Sequence, residues 1–174
     1  MCTHPSGSLR IGCQSLKMAP RTITGSFMSQ IHRHALINYS NLQMFALVND
    51  VAAYPLYMEG CRKVVVHRQD ECSMLATMEL ERHGIRMSFT TENVLDSPSS
   101  IVMRLQEGPF RQLEGKWLFE PLGSDACKVV FNLHFAMKNP VAGFALGKLF
   151  DSVGNAMVDA VALRAKQLYG GSCG

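Results

Sequence analysis

The sequence contains no CxxC pair, no HExxH, no GxSxG and no glycine-rich phosphate loop. The usual signatures of zinc sites, metalloproteases, serine hydrolases and nucleotide-binding loops are therefore missing. It also lacks an apolar run long enough to span a bilayer: the longest uncharged stretch of interest, His34 to Asn49, is short and interrupted by Asn38, Ser40, Asn41 and Gln43. Excess charge is scarce too. The formal net charge is +3, and Arg10, Lys17 and Arg21, in a first 28 residues free of acids, account for all of it; removing those three from 17 basic residues leaves 14 against 14 acidic ones from Ser29 onward. A neutral body gives no electrostatic reason to expect a nucleic-acid role, and DNA is not an expected partner.

The cysteines number six but do not form a framework. Cys2, Cys13 and Cys173 lie in the tails, and Cys61, Cys72 and Cys127 are left in the body. These three are expected to be small buried hydrophobes in a reducing compartment. Residues 1–27 are rich in Ser, Gly, Thr and Pro and show no hydrophobic periodicity. Basic and acid-free, they suit an organelle transit peptide or an over-long start with Met28 as the natural initiator, and they lack the apolar core of a secretory signal. The expectation is disorder to about Gly25, one domain over 28–170 and a short tail at 171–174.

With 47% hydrophobic residues in a chain of 174, one domain with a substantial core can form. Ile31 to Asn38 alternates as a strand. Asn38 or Ser40 can cap a short helix carrying Leu42, Phe45, Ala46 and Val48, and Asp50 can cap a second through Val51, Ala53 and Tyr54 before Pro55. From Arg62 to Met137, strand-like runs are separated by Gln69-Asp70-Glu71, His83-Gly84, Asp96-Ser97-Pro98-Ser99, Gly108-Pro109 and Gly123-Ser124-Asp125. Such short connections predict a six-strand antiparallel meander. The chain then reads as a long helix, capped by Asn139 with Pro140 at its first position and stopped by Gly170-Gly171. Its polar stripe is Lys148, Asp151, Asn155, Asp159 and Lys166; Leu149, Val153, Ala156, Met157, Ala160 and Leu168 lie opposite. Strands and helices are segregated, so the fold class is α+β, ordered β-α-α-β6-α, with a curved sheet wrapping the last helix.

The chemistry-bearing residues are few. His32 and His34 share a strand face without an evident third metal ligand, and Glu79 and Glu81 share another as solvated charges rather than a catalytic pair. Eleven methionines and nine phenylalanines stand out instead. Met87, Phe89, Met103, Leu105, Trp117, Phe119, Phe131 and Phe135 fall on inward strand positions, and Val153, Met157 and Val161 would face them from the helix. These fill a core or line an apolar tunnel. Gly143, Gly147, Gly154 and several alanines on the helix permit either close packing or a void. Tyr54, Leu56, Tyr57 and Met58 read as lid residues at the tunnel mouth or as anchors at the sheet rim.

Three segments carry a family resemblance: LVNDVAAYPLYMEGC (Leu47 to Cys61), MRLQEGPFRQLEGKWLF (Met103 to Phe119) and MVDAVALRAKQLYG (Met157 to Gly170). Together they resemble the RatA and coenzyme Q-binding branch of the START-like polyketide cyclase/dehydrase superfamily. Tyr54, Pro55 and Cys61 fit its first motif; Gly108, Pro109, Phe110, Leu113, Gly115 and Trp117 fit its second. The chain departs from it at Tyr57, Met58, Glu59 and Gly60, where relatives often carry Phe-Leu-Pro-Trp. The resemblance implies a helix-grip fold and a non-enzymatic role. Ubiquinone or a related lipid would occupy the cavity in support of respiratory electron transfer, with no required cofactor. The alternative it implies is a ribosome association toxin that binds the large ribosomal subunit and blocks subunit joining; a polyketide cyclase or dehydrase is more remote. The expected location is the bacterial cytoplasm or the periphery of the inner membrane. Arg62, Lys63, Arg68, Arg82, Arg86, Arg104 and Arg111 are the candidate ribosome contacts.

Overall fold

Seven strands form one antiparallel sheet in the order β1-β7-β6-β5-β4-β3-β2. The computed structural model describes residues 28–139 and 143–170, so the expectations for 1–27, Pro140 and 171–174 fall outside the described residues. β1 (Ser29–Ile37) is followed by α1 (Asn41–Asn49), a 3-10 helix (Val51–Leu56), strands β2 (Cys61–Gln69), β3 (Ser73–Arg82), β4 (Ile85–Asp96), β5 (Ser100–Glu107), β6 (Phe110–Pro121) and β7 (Cys127–Met137), and α2 (Gly143–Tyr169). This is the expected α+β helix-grip arrangement. The second short helix is 3-10 in form, with Pro55 inside it. Proline has no amide to donate, which favours a short, irregular turn over a continued α-helix.

Local sequence sets these elements. Ser40 caps α1 through a reciprocal capping box with Gln43, satisfying two amides that the first helical turn leaves free. In β6, Phe110, Leu113, Gly115, Trp117 and Phe119 are buried, while Arg111, Glu114, Lys116 and Glu120 face solvent. From Leu113 to Phe119 that is the period of two expected for a half-buried strand, and a register shift between Phe110 and Gln112 brings Phe110 onto the same buried side. β7 shows it across Cys127, Val129, Phe131, Leu133 and Phe135.

α2 spans 27 residues, roughly 40 Å at 1.5 Å per residue. Its buried stripe includes Leu149, Val153 and Met157, as expected, together with Phe150, Gly154, Val158, Val161 and Ala165. Ala156 and Leu168 lie on the solvent side, contrary to expectation. Successive buried positions three or four apart keep one face toward the sheet, and both residues fall off that stripe. The Asn139 carbonyl accepts from the amide of Gly143, the first described residue of α2, at 2.7 Å. A Cβ on Gly154 would stand 2.6 Å from Ile31 Cδ1, and one on Gly143 2.7 Å from Met137 Cβ. These two glycines serve close packing, and Gly154 also borders the cavity described below.

One further expectation changes, that for Cys72, while the reading of Glu81 as a solvated charge holds. Cys61 and Cys127 are buried free thiols, but Cys72 is exposed and disulfide-bonded, because it sits in the β2–β3 turn rather than on an inward strand position. Glu81 pairs with both Arg62 and Arg86, the latter at 2.8 Å, which makes it a surface charge.

The β5–β6 turn is the least forgiving point. Gly108 has φ +149°, and a Cβ there would lie 2.7 Å from Phe89 Cβ and 3.3 Å from Phe89 Cα. Both the left-handed backbone and the neighbouring strand oppose a side chain. Gly108→Ala is expected to lower unfolding free energy by about 2–3 kcal/mol in a urea titration; an unchanged midpoint would contradict this packing.

Candidate ligand-binding cavity

Phe150 of α2 inserts among three sheet phenylalanines. Its ring centroid lies 4.7 Å from that of Phe110, 4.7 Å from Phe135 and 5.3 Å from Phe89. Each such pair adds about 0.5–1.5 kcal/mol beyond simple burial. The cluster pins the first half of α2 to β4, β6 and β7. Next to it, between α2 and the sheet, a cavity of about 50 Å³ persists. It holds roughly two waters, far below the several hundred Å³ of a drug-sized ligand site. The tunnel expected for a polyprenyl tail is closed in this conformation.

The walls are nearly all apolar. Val48, Val51 and Tyr54 close the α1 side, Met78, Phe89 and Met103 the sheet, and Phe150, Val153 and Met157 the helix. No Asp, Glu, His, Lys, Arg or Cys is among the described lining residues. Tyr54, the one ionisable group there, donates its hydroxyl to the Val48 carbonyl at 2.7 Å, and burial raises its pKa well above the ordinary phenol value. Three polar atoms interrupt the apolar lining: Asn49 Oδ1, Asn93 Oδ1 and Trp117 Nε1, none with a hydrogen-bond partner in the protein. Asn93 and Trp117 are 4% and 1% exposed. Burying such groups unpaired costs about 1–3 kcal/mol each.

The family model for polyketide cyclase / dehydrase and lipid transport matches residues 37–162. The chain belongs to this family. The ribosome association toxin RatA of Vibrio cholerae is 44% identical over 143 residues, covering 82% of this chain and 99% of that protein. The persistence and stress-resistance toxin PasT of Escherichia coli is 42% identical over 142 residues, 82% and 90% of the two chains. Among solved structures, an 18 kDa protein from Caulobacter crescentus is 28% identical with a TM-score of 0.65, covering 82% of this chain and 99% of that one. The Zhui aromatase/cyclase from a Streptomyces species aligns with a TM-score of 0.71 at 17% identity, covering 83% and 99%, and so shares the fold alone.

Within this START-like frame, seven of the expected tunnel residues line the cavity: Tyr54, Phe89, Met103, Trp117, Phe131, Val153 and Met157. Met87, Phe110, Phe119, Phe135 and Val161 are buried core residues outside its lining; the three phenylalanines are taken up in aromatic contacts, Phe119, for instance, meeting Phe45 edge-on at 5.7 Å. Leu105 packs against the core from a partly buried position. In the first family motif, Tyr54 and Met58 are buried anchors, and Pro55 and Tyr57 are half-buried beside them. Leu56 is 76% exposed, so it does not belong to the interior. Gly60, within the departure from the family motif, has φ +87°, and a Cβ there would meet Val153 Cγ2 at 2.9 Å. The chain thus crosses close under α2 at a point where a tryptophan does not fit.

The polar residues Asn49, Thr91 and Asn93 escaped the sequence reading. A signal for two of them was present: Thr91 and Asn93 share the inward parity of Met87 and Phe89 in β4. Phe150 was also missed, and Phe150→Ala is expected to cost about 3–5 kcal/mol in chemical denaturation. A loss below about 1 kcal/mol would show that the wedge does not hold α2 in place. Cys61 offers a second check, since burial pushes its thiol pKa up to about 11. Its alkylation at pH 8, followed by peptide mass spectrometry, is expected to run about a hundredfold slower folded than unfolded.

Proposed function

We propose that this chain is a ribosome-associating protein of the RatA type, acting on the large ribosomal subunit so as to oppose subunit joining. The supporting observation is 44% identity to the Vibrio cholerae toxin over 99% of that protein's length. The lining of the cavity favours a binding module as well, because it has no acid and base pair for cyclisation or dehydration chemistry.

The surface charges narrow the candidate contacts. Arg62, Arg68, Arg82 and Arg86 are held by Glu81, Glu92, Glu59 and Glu81 respectively. Lys63, Arg104 and Arg111 are exposed and make no ion pair among the described residues. Free cations lose less on meeting phosphate than paired ones, so these three are the better candidates. The protein is expected to co-sediment with purified large subunits in sucrose gradients at physiological salt. Charge reversal at Arg104 and Arg111 together is expected to weaken binding at least several-fold and flatten its salt dependence. Absence of the wild-type protein from the large-subunit fractions would overturn the reading.

A second reading concerns the interior: the domain binds a small hydrophobic ligand between sheet and helix. The apolar cavity supports it, and ubiquinone is its most specific form. A polyprenyl occupant requires α2 to move outward from the sheet. Solvent extraction of purified protein followed by mass spectrometry tests that form. A near-stoichiometric quinone supports it; no quinone in repeated extracts, and no uptake of added quinone, removes it.

A further inference from the structure

We propose that the cavity is a site for a small apolar molecule bearing a hydroxyl group, which it holds with the hydroxyl pointing inward at the β4–β6 wall. This rests on the hydrophobic-ligand reading above.

Unpaired polar atoms of three lining residues define the chemistry, Asn93 and Trp117 on that wall and Asn49 at the end of α1. Trp117 Nε1 can only donate, while Asn49 and Asn93 present carbonyl oxygens that only accept. Asn93 pairs with Met103 across β4–β5, Met103 with Gly115 across β5–β6, and Trp117 lies two residues beyond Gly115 on the same buried face. The two side chains stand one row apart along the strands and two strands apart across the sheet, with Met103 between them; a Cβ on Gly115 would collide with Met103 Cε, so the Met103 side chain must swing aside for one ligand group to reach both. The other contact of the Asn93 amide is weak, its nitrogen lying 4.0 Å from Met74 Sδ. A hydrocarbon satisfies none of these atoms. A carbonyl-only head satisfies the indole but leaves the asparagine oxygens unpaired. A hydroxyl accepts from the indole and donates to an asparagine in one step.

The present volume of about 50 Å³ is smaller than a one-ring ligand requires. Met78, Met103 and Met157 line it. Methionine rotates about three bonds without branching, so these side chains can yield space without unfolding the sheet. Phe131, stacked on Trp117 at 4.3 Å, is the rigid floor against which a ring would lie.

The test is isothermal titration of the full chain with 4-ethylphenol, ethylbenzene and acetophenone, repeated for Asn93→Leu and Trp117→Phe, with melting followed by circular dichroism. The wild type is expected to bind the phenol about tenfold more tightly than the other two, the yield of one or two net hydrogen bonds. Asn93→Leu is expected to reduce that preference several-fold while still binding ethylbenzene, with Tm unchanged or raised, since an unpaired buried amide is replaced by an apolar group of similar shape. Trp117→Phe is expected to reduce the preference as well. Equal wild-type affinities for the three probes would overturn the hydroxyl site, assign the polar atoms to water and leave the hydrophobic-ligand reading standing. Binding of none of them would overturn both. A marked fall in Tm for Asn93→Leu with the preference intact would make Asn93 a structural residue and also contradict the proposal.

Discussion

The contact between Phe150 and the phenylalanines of β4, β6 and β7 governs the rest of the molecule. A helix of 27 residues curves only gently, whereas a seven-stranded antiparallel sheet is strongly twisted. The helix can therefore seat closely only along part of its length. Gly143 and Gly154 let it approach Met137, Ile31 and Leu133, and the aromatic wedge locks that approach. The residual cavity lies beside this contact, lined by Val153, Gly154 and Met157 of the helix and by residues of β3, β4 and β5. Packing and cavity are consequences of the same mismatch between a gently curved helix and a strongly twisted sheet.

Much of this was legible in the sequence. The seven strands, their antiparallel order and the long covering helix follow from alternation, short turns and segregated elements. The burial of Trp117 and Phe119 follows from the charged side of β6. Periodicity identifies which face of a strand is inward, but it does not distinguish an inward residue at a cavity from one in solid packing. Phe135 and Phe131 occupy equivalent positions in β7, yet one is held by Phe150 and the other by Trp117 beside the cavity. That difference depends on which helix residue stands opposite. Thr91 and Asn93 were lost for a related reason: attention to apolar residues on inward positions passes over the polar residues interleaved with them.

Surface and interior carry separate parts of the account. Similarity to ribosome-association toxins extends along almost the whole of those relatives, and recognition of a subunit must fall on the exterior. Among the candidate contacts, Arg62, Arg68, Arg82 and Arg86 are held by neighbouring carboxylates, which leaves Lys63, Arg104 and Arg111 without an ion pair among the described residues. The interior is nearly dry and lacks acid–base groups, yet it keeps an indole donor and two amide acceptors unpaired. A core selected only for stability would replace these with hydrocarbon at little cost. In the proposed reading these atoms meet a ligand, and the two proposed roles draw on different residues.

The central claim, a START-like domain that docks on the large ribosomal subunit, is tested most directly by cryo-electron microscopy of large subunits incubated with a molar excess of the protein. The account predicts one extra density, at high occupancy, that fits the curved sheet and α2 and lies on the face that meets the small subunit. Large subunits with no extra density under those conditions would contradict it.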